Sequence, residues 1–440
     1  MSPQPELKRT LSPLMVWGLG VGYVISGNYF GWNLGLEKGG TLGMAIALFF
    51  IIILYITFTF SYTELACAIP KSGGAFDYAR RALGKDAGFI TGMAQNIEFI
   101  FAPPAIAFAI GTYFNIFFQD LSVTFIAILA YLFFFSINVA GVKVAAVFEL
   151  VVTALAVIAV LLFSGISFPH FDASHLKLNA FPFGWSGVFA ATPFAIWFFL
   201  GIEGVANLAE EAINPKRTIM LGFGSAIITL VLLCIITFVS SIGIAGWEAI
   251  VFKTDGTTSD SPLPLAMAHI VDSGQWPYQM LVMVGLLGLV ASFHGLMLAA
   301  GRSTLEFGRV NYAPAFLGKI HPRFQTPANA LFINMILGIA ALLTGKTGEI
   351  ITISVFGALT LYILSMISLL KLRKKEPGLH RPFRVPLFPF FPIVALVIAS
   401  ASLVAMAFYN SKLALIYFLI LGLSFAAFKL QKVISASKSQ

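Results

Sequence analysis

The chain is short of charge and nearly free of cysteine. Asp, Glu, Lys and Arg together make up 10% of its 440 residues, where a soluble domain would carry about a quarter. That shortage excludes an ordinary soluble fold, and no large polar segment is present that could form a separate soluble domain. The two cysteines, Cys67 and Cys234, lie in or beside apolar segments and make neither a disulfide framework nor a metal motif. A Walker loop and a dinucleotide fingerprint are absent, which argues against an ATP-driven pump. A paired His/Asp metal cluster and a nucleophile elbow are absent too, which argues against a membrane hydrolase. No enzyme activity, cofactor or metal is therefore expected.

What is present is apolar sequence. Hydrophobic residues make up 58% of the chain, and runs of roughly 18 residues or more recur along nearly its whole length, as spanning helices require. Twelve spans are expected, at about 14–36, 42–68, 88–117, 121–140, 144–165, 188–208, 218–246, 277–301, 327–344, 348–371, 387–408 and 411–430. Residues 1–13 are polar, carry Lys8 and Arg9 and show no cleavage site, so they read as a cytoplasmic lead-in rather than a signal peptide. Residues 431–440 read as a cytoplasmic tail. Even parity puts both ends on one side, and 22 of the 27 lysines and arginines fall on that side, the remaining 5 being Lys38, Lys177, Lys253, Lys346 and Lys412. The positive-inside rule then makes both ends cytoplasmic in a multi-pass cell-membrane protein. The net charge of +8 is accounted for by the lipid bilayer as partner and requires no nucleic acid.

Two apolar runs are interrupted. The first span contains Ile25-Ser26-Gly27-Asn28-Tyr29-Phe30-Gly31, and the sixth contains Phe199-Leu200-Gly201-Ile202-Glu203-Gly204. Backbone freed at membrane depth is tolerated only where it lines protected space. A matched pair of Gly-broken spans, one in each half of a chain, is the sequence mark of a secondary transporter's substrate site.

Ionisable groups inside spans are functional candidates because burying them is costly. Glu203 stands roughly 22 Å into span six at 1.5 Å per residue, between glycines that permit unwinding. It either caps amides freed by the break or meets the substrate. Glu98, in span three, precedes Ala102-Pro103-Pro104, a kink site. It either faces an ammonium group, carries a coupling proton, or stays protonated against a neighbouring helix. Glu64 and Glu149 lie near the cytoplasmic ends of spans two and five, within reach of bases such as Lys143, and suit gate closure or helix anchoring. His294 in span eight has no acid near it in sequence and reads as a hydrogen-bonded structural histidine, with proton relay the alternative. Around the breaks, Tyr29, Phe30, Trp32, Phe194, Trp197, Phe198 and Phe199 could cage a cation, Tyr29 and Trp197 being the best placed.

Two stretches resemble the amino acid–polyamine–organocation (APC) superfamily. One runs Glu64-Leu65-Ala66-Cys67-Ala68-Ile69-Pro70-Lys71-Ser72-Gly73-Gly74-Ala75-Phe76-Asp77-Tyr78. The other runs from Phe198 through Gly201-Ile202-Glu203-Gly204 into Glu210-Glu211-Ala212-Ile213-Asn214-Pro215-Lys216-Arg217. Within that superfamily the segments 22–33, 97–105 and 196–204 are most similar to bacterial ethanolamine permeases. The resemblance implies an all-α membrane fold with a five-plus-five inverted repeat, spans at 14–165 and 188–371, and two peripheral helices at 387–430. It also implies alternating access around a site between spans one, three, six and eight.

Two departures sharpen the reading. Family carriers of amino acids leave small residues in span one whose amides grip a carboxylate, whereas Asn28 and Tyr29 follow Ser26-Gly27 here. Ethanolamine permeases often carry an acid at the Asn28 position, so Glu98 and Glu203 become the candidate counter-ions. Proton-coupled members often carry a lysine in span five, and the matching residue is Ala156. The expected function is import of ethanolamine or a related small amine, with Ser26, Gly27, Asn28, Tyr29, Glu98, Trp197, Gly201 and Glu203 at the site. Glu64, Glu149 and His294 are the candidates for coupling or gating, with a proton or sodium as coupling ion. An amino-acid permease of the same fold is the alternative. A membrane sensor without transport is a rival of another class, and would favour a soluble effector domain or a tail longer than the ten or so residues after the last span.

Overall fold

A computed structural model describes residues 9–140, 145–209 and 211–437. Lys143 and Glu210, which figured in the sequence reading, lie outside the described residues, as do residues 1–8 and 438–440.

The described chain is helical, with isolated bridges but no strand. Ten helices are long and apolar enough to cross a membrane, and Pro13–Val24 and Ala328–Leu342 are shorter apolar helices. Together they supply the twelve expected spans. Span one is the broken series Pro13–Val24, Ser26–Tyr29 and the start of Asn33–Ala68; that last helix also forms the whole of span two, across a kink at Gly40. Spans three, four and five are Lys85–Asn115, Val123–Ala140 and Ala145–Ser167. Span six begins as Gly184–Trp197 and resumes as a 3₁₀ helix, Ile202–Leu208. Spans seven to ten are Pro215–Ala245, Trp276–Arg309, Ala328–Leu342 and Thr347–Lys375, and spans eleven and twelve are Phe390–Tyr409 and Ser411–Ser437.

Local chemistry sets several of these ends. Ser12 and Asn214 cap the helices that open with Pro13 and Pro215, each side chain accepting from an amide three residues on. This places a polar cap before a proline that has no amide to leave unpaired. Burial then sorts the spans. The apolar stretches of spans six and ten are 89% and 83% buried, and that of span twelve only 17%. Spans six and ten therefore form the centre, and spans four, eleven and twelve present their side chains to lipid. One face of the bundle gathers Arg81, Arg302, Arg309, Arg373 and Arg381; the opposite face carries Lys38, Lys253, Lys346 and Lys412. They are called the basic face and the opposite face below.

Candidate functional site

The first break occupies Ile25 to Trp32. Its backbone is exposed by sequence but not left unpaired. The Ser26 amide donates to Ser292 Oγ of span eight at 2.9 Å, and that hydroxyl donates in turn to the Gly22 carbonyl at 2.6 Å. The Gly31 amide donates to Asn33 Oδ1 at 3.1 Å. Freed carbonyls are also taken: Tyr113 OH donates to Tyr29 O at 2.9 Å, and Trp197 Nε1 to Phe30 O at 3.1 Å.

The second break begins after Trp197. Gly201 adopts φ 95°, a conformation glycine enters without the cost other residues meet. The 3₁₀ helix that follows runs for 7 residues, longer than such helices usually persist, which marks a strained, hinge-like segment. The two breaks touch. A Cβ on Gly27 would lie 2.6 Å from the Trp197 carbonyl oxygen and 2.9 Å from Phe198 Cα. Glycine at 27 is thus the condition for the contact, and the break is packed shut around it, with Tyr29, Phe30 and Trp32 wholly buried.

At the second break the structure brings two predicted acids together. The buried carboxyls of Glu98, from span three, and Glu203, from span six, face each other beside Gly201. Two buried carboxylates that face each other oppose each other's ionisation. Tyr362 of span ten donates to Glu203 Oε2 at 2.8 Å, and Tyr55 of span two lies 3.0 Å from the Tyr362 hydroxyl. Both Glu98 oxygens and Glu203 Oε1 are buried without a hydrogen-bond partner. Among the described residues no salt bridge joins either acid to a base. Glu203 thus stands at the break with one oxygen held by Tyr362 and the other unpartnered. Tyr362 and Tyr55 were missed in the sequence, where the only signal was a phenol in an apolar span that must find a partner once buried.

The other predicted residues are spread around this centre. Asn28 accepts at Oδ1 from Thr237 of span seven at 3.2 Å, and its Nδ2 is buried without a partner. Tyr29 points toward span five, its hydroxyl donating to Ala156 O at 2.7 Å. Trp197 is held on span one by its bond to Phe30 O and an edge-on contact with the Phe30 ring. Glu64 is paired with bases other than the one reachable by depth alone. It accepts from Arg373 Nε and Nη2, both at 2.7 Å, and from the Val385 amide at 2.8 Å, and Arg381 Nε lies 3.2 Å away. Its helix packs beside span ten, which carries Arg373, so proximity across spans decides the pairing. The expectation that His294 has no acid is likewise corrected: Glu149 Oε2 lies 3.3 Å from His294 Nδ1, because spans five and eight pack together.

A cavity of about 520 Å³ opens on the opposite face. Leu34 and Phe194 line it, each three residues from the break residues Gly31 and Trp197, and Thr352 of span ten lines it as well. Its acids are Glu37, Glu349 and Asp260. The first two are paired with Lys38 and Lys346, both at 2.9 Å. Asp260, in the loop before span eight, is pushed up to about 6 by burial.

Two helices broken at mid-bundle, closed against each other over a buried acid pair, define a multi-pass membrane transporter. The chain belongs to the amino acid permease family of the APC superfamily, whose sequence profile matches residues 11–425. It is 27% identical to an uncharacterised transporter of Rhizobium meliloti (strain 1021), over 91% of this chain and 88% of that protein. It is 25% identical to the methylthioribose transporter of Bacillus subtilis (strain 168), over 90% and 87% of the two chains. It is 24% identical to a branched-chain amino acid permease of the same organism, over 90% and 88%.

Proposed function

We propose that this permease imports a small amine without a carboxylate, ethanolamine or a close amino alcohol, by alternating access with its basic face in the cytoplasm. The observation that carries the reading is the Glu98–Glu203 pair: two buried acids with three unsatisfied oxygens, no basic partner among the described residues, and a place at the second break. A substrate ammonium entering there displaces a proton from the pair or is held by its charge. The first break supports the same choice. Its Ser26 and Gly31 amides are already bonded to Ser292 and Asn33, so the donors that would grip a carboxylate are occupied. Asn28 Nδ2, buried and unpartnered, is a donor for the substrate hydroxyl. On this reading the rings of Tyr29 and Trp197, both packed at the first break, have the task of facing the ammonium.

The relatives' names favour a second reading, an amino-acid permease, since one of them is a branched-chain amino acid permease. Uptake of labelled ethanolamine into proteoliposomes under proton or sodium gradients separates the two. Choline-like amines should compete better than alanine or 4-aminobutyrate, and the reverse order selects the amino-acid permease. No ethanolamine uptake in any gradient or exchange condition removes the amine reading. If Glu98→Gln and Glu203→Gln both leave uptake and apparent affinity unchanged, the acid pair is not the ammonium partner.

A further inference from the structure

We infer that Glu149 and His294 form a proton-binding site that couples transport to a proton gradient, separate from the acids assigned to the substrate. This rests on the transport reading and adds to it the ion that drives the cycle. The two side chains are 1% and 5% exposed and lie 3.3 Å apart across spans five and eight. Glu149 Oε1 is buried without a hydrogen-bond partner. It lies against span one just below the first break: a Cβ on Gly22 would sit 2.6 Å from Glu149 Oε1 and 2.6 Å from Thr153 Oγ1. The same Gly22 accepts from Ser292, two residues before His294, and Ser292 also holds the Ser26 amide of the break. The pair therefore touches the part of span one that must move for the site to change sides.

Its surroundings leave the pair to balance its own charge. From span one it faces Tyr23, whose phenol has no partner and whose ring packs on Gly295. From span four it faces the Phe134 ring, and from its own span five the Phe148 ring and Thr153, whose hydroxyl is bonded to Gly18 O at 3.1 Å. Farther along span eight, Arg302 is paired with Glu211 at 2.8 Å. Among the described residues His294 is the only base bonded to Glu149. With one proton the pair is net neutral; without it, a carboxylate stands uncompensated against span one, which is costly in a dry bundle. Loss of the proton thus favours the arrangement in which span one's inner half swings aside and admits water. The proton binds from water on one side, residing on the carboxyl or the imidazole, and leaves to water on the other, with no other bond made or broken.

The test uses the full chain in proteoliposomes with an imposed pH gradient and the panel of ethanolamine, choline, alanine and 4-aminobutyrate. Glu149→Gln and His294→Gln are expected to lose gradient-driven accumulation and substrate-induced proton flux while keeping substrate counterflow. A variant that still accumulates solute against its gradient overturns the coupling role alone. Absence of counterflow for every solute in the unaltered chain overturns the transport reading and the coupling role with it. Infrared difference spectra of the purified chain between about pH 5 and about pH 8, the range in which histidine changes charge, give a readout that a merely structural pair would not move. A protonated-carboxyl band should grow toward acid pH, vanish in Glu149→Gln and shift in His294→Gln. Spectra identical in all three chains overturn the proposal.

Discussion

On the basic face, Glu64 takes two hydrogen bonds from Arg373, one from the Val385 amide and a further ion pair from Arg381, all with Glu64 1% exposed. The chain entering span one is laid across the same face, where the Thr10 and Leu11 amides both donate to Glu211 O and Leu11 O accepts from the Ile213 amide. On the opposite face the charges are pairs of near neighbours, Glu37 with Lys38 and Lys346 with Glu349, around an open cavity. The basic face holds ion pairs between distant spans, whereas the ion pairs of the opposite face lie within single elements, and a neutral hydroxyl, that of Thr347, reaches Asp260 across the cavity. Only the first kind must break when spans separate. A lock of long-range ion pairs on one side, with local pairs on the other, fits a bundle resting closed toward the basic face.

Removing the lock should have the largest effect. Glu64→Ala leaves Arg373 and Arg381 without their shared acid, and breaking a buried pair costs about 3–5 kcal/mol. Thermal unfolding in detergent should register the loss. Cys67, one turn from Glu64 and buried, supplies a native probe of opening. Its labelling by a thiol reagent should rise sharply in Glu64→Ala and stay low in Lys346→Ala, whose charge belongs to the other face. Equal labelling in both would erase the distinction between the faces.

At mid-bundle the expected changes are smaller in stability but decisive for transport. Gly27→Val drives a side chain into the Trp197 carbonyl, a mismatch of about 1–3 kcal/mol for overpacking. Counterflow should be lost while the chain still folds. Trp197→Phe keeps the ring and removes the donor to Phe30 O, leaving a buried carbonyl unpaired at about 1–3 kcal/mol. It should lower the melting temperature modestly, and no shift would show that water replaces the indole.

The smallest effect belongs to the cavity. Asp260, held at about 6, is charged above that pH and neutral below it. The apparent KM of a cationic solute should therefore fall a few-fold as the pH on the opposite face rises through about 6, as expected for one half-buried charge at the cavity wall. A neutral solute should show no such step, and Asp260→Asn should abolish it. Stability runs the other way. An acid whose folded value is raised loses stability as pH climbs from its unfolded value through the folded one.

Span lengths and both breaks were legible in the sequence because each depends on a local property, apolar length or glycine within an apolar run. Most edges agree closely, although span eight continues to Arg309 and the first two spans share one helix. The pairings were not legible. Glu98 meets Glu203, Glu149 meets His294 and Glu64 meets Arg373 only when helices far apart in sequence are rotated to face one another. Depth along a span was readable; azimuth around it was not. Depth alone led from Glu64 to Lys143, and the same limit hid Tyr362.

The kink at Gly40 joins spans one and two without slack. There a non-helical residue at φ 64° separates two helical segments, and the Leu42 amide is fixed to Ala180 O at 2.7 Å. The opposite-face end of span one is thus held directly against the start of span two, with no loop between them. On the transport reading proposed above, the movement of span one falls to Pro13–Val24, the segment beyond the break from Gly40.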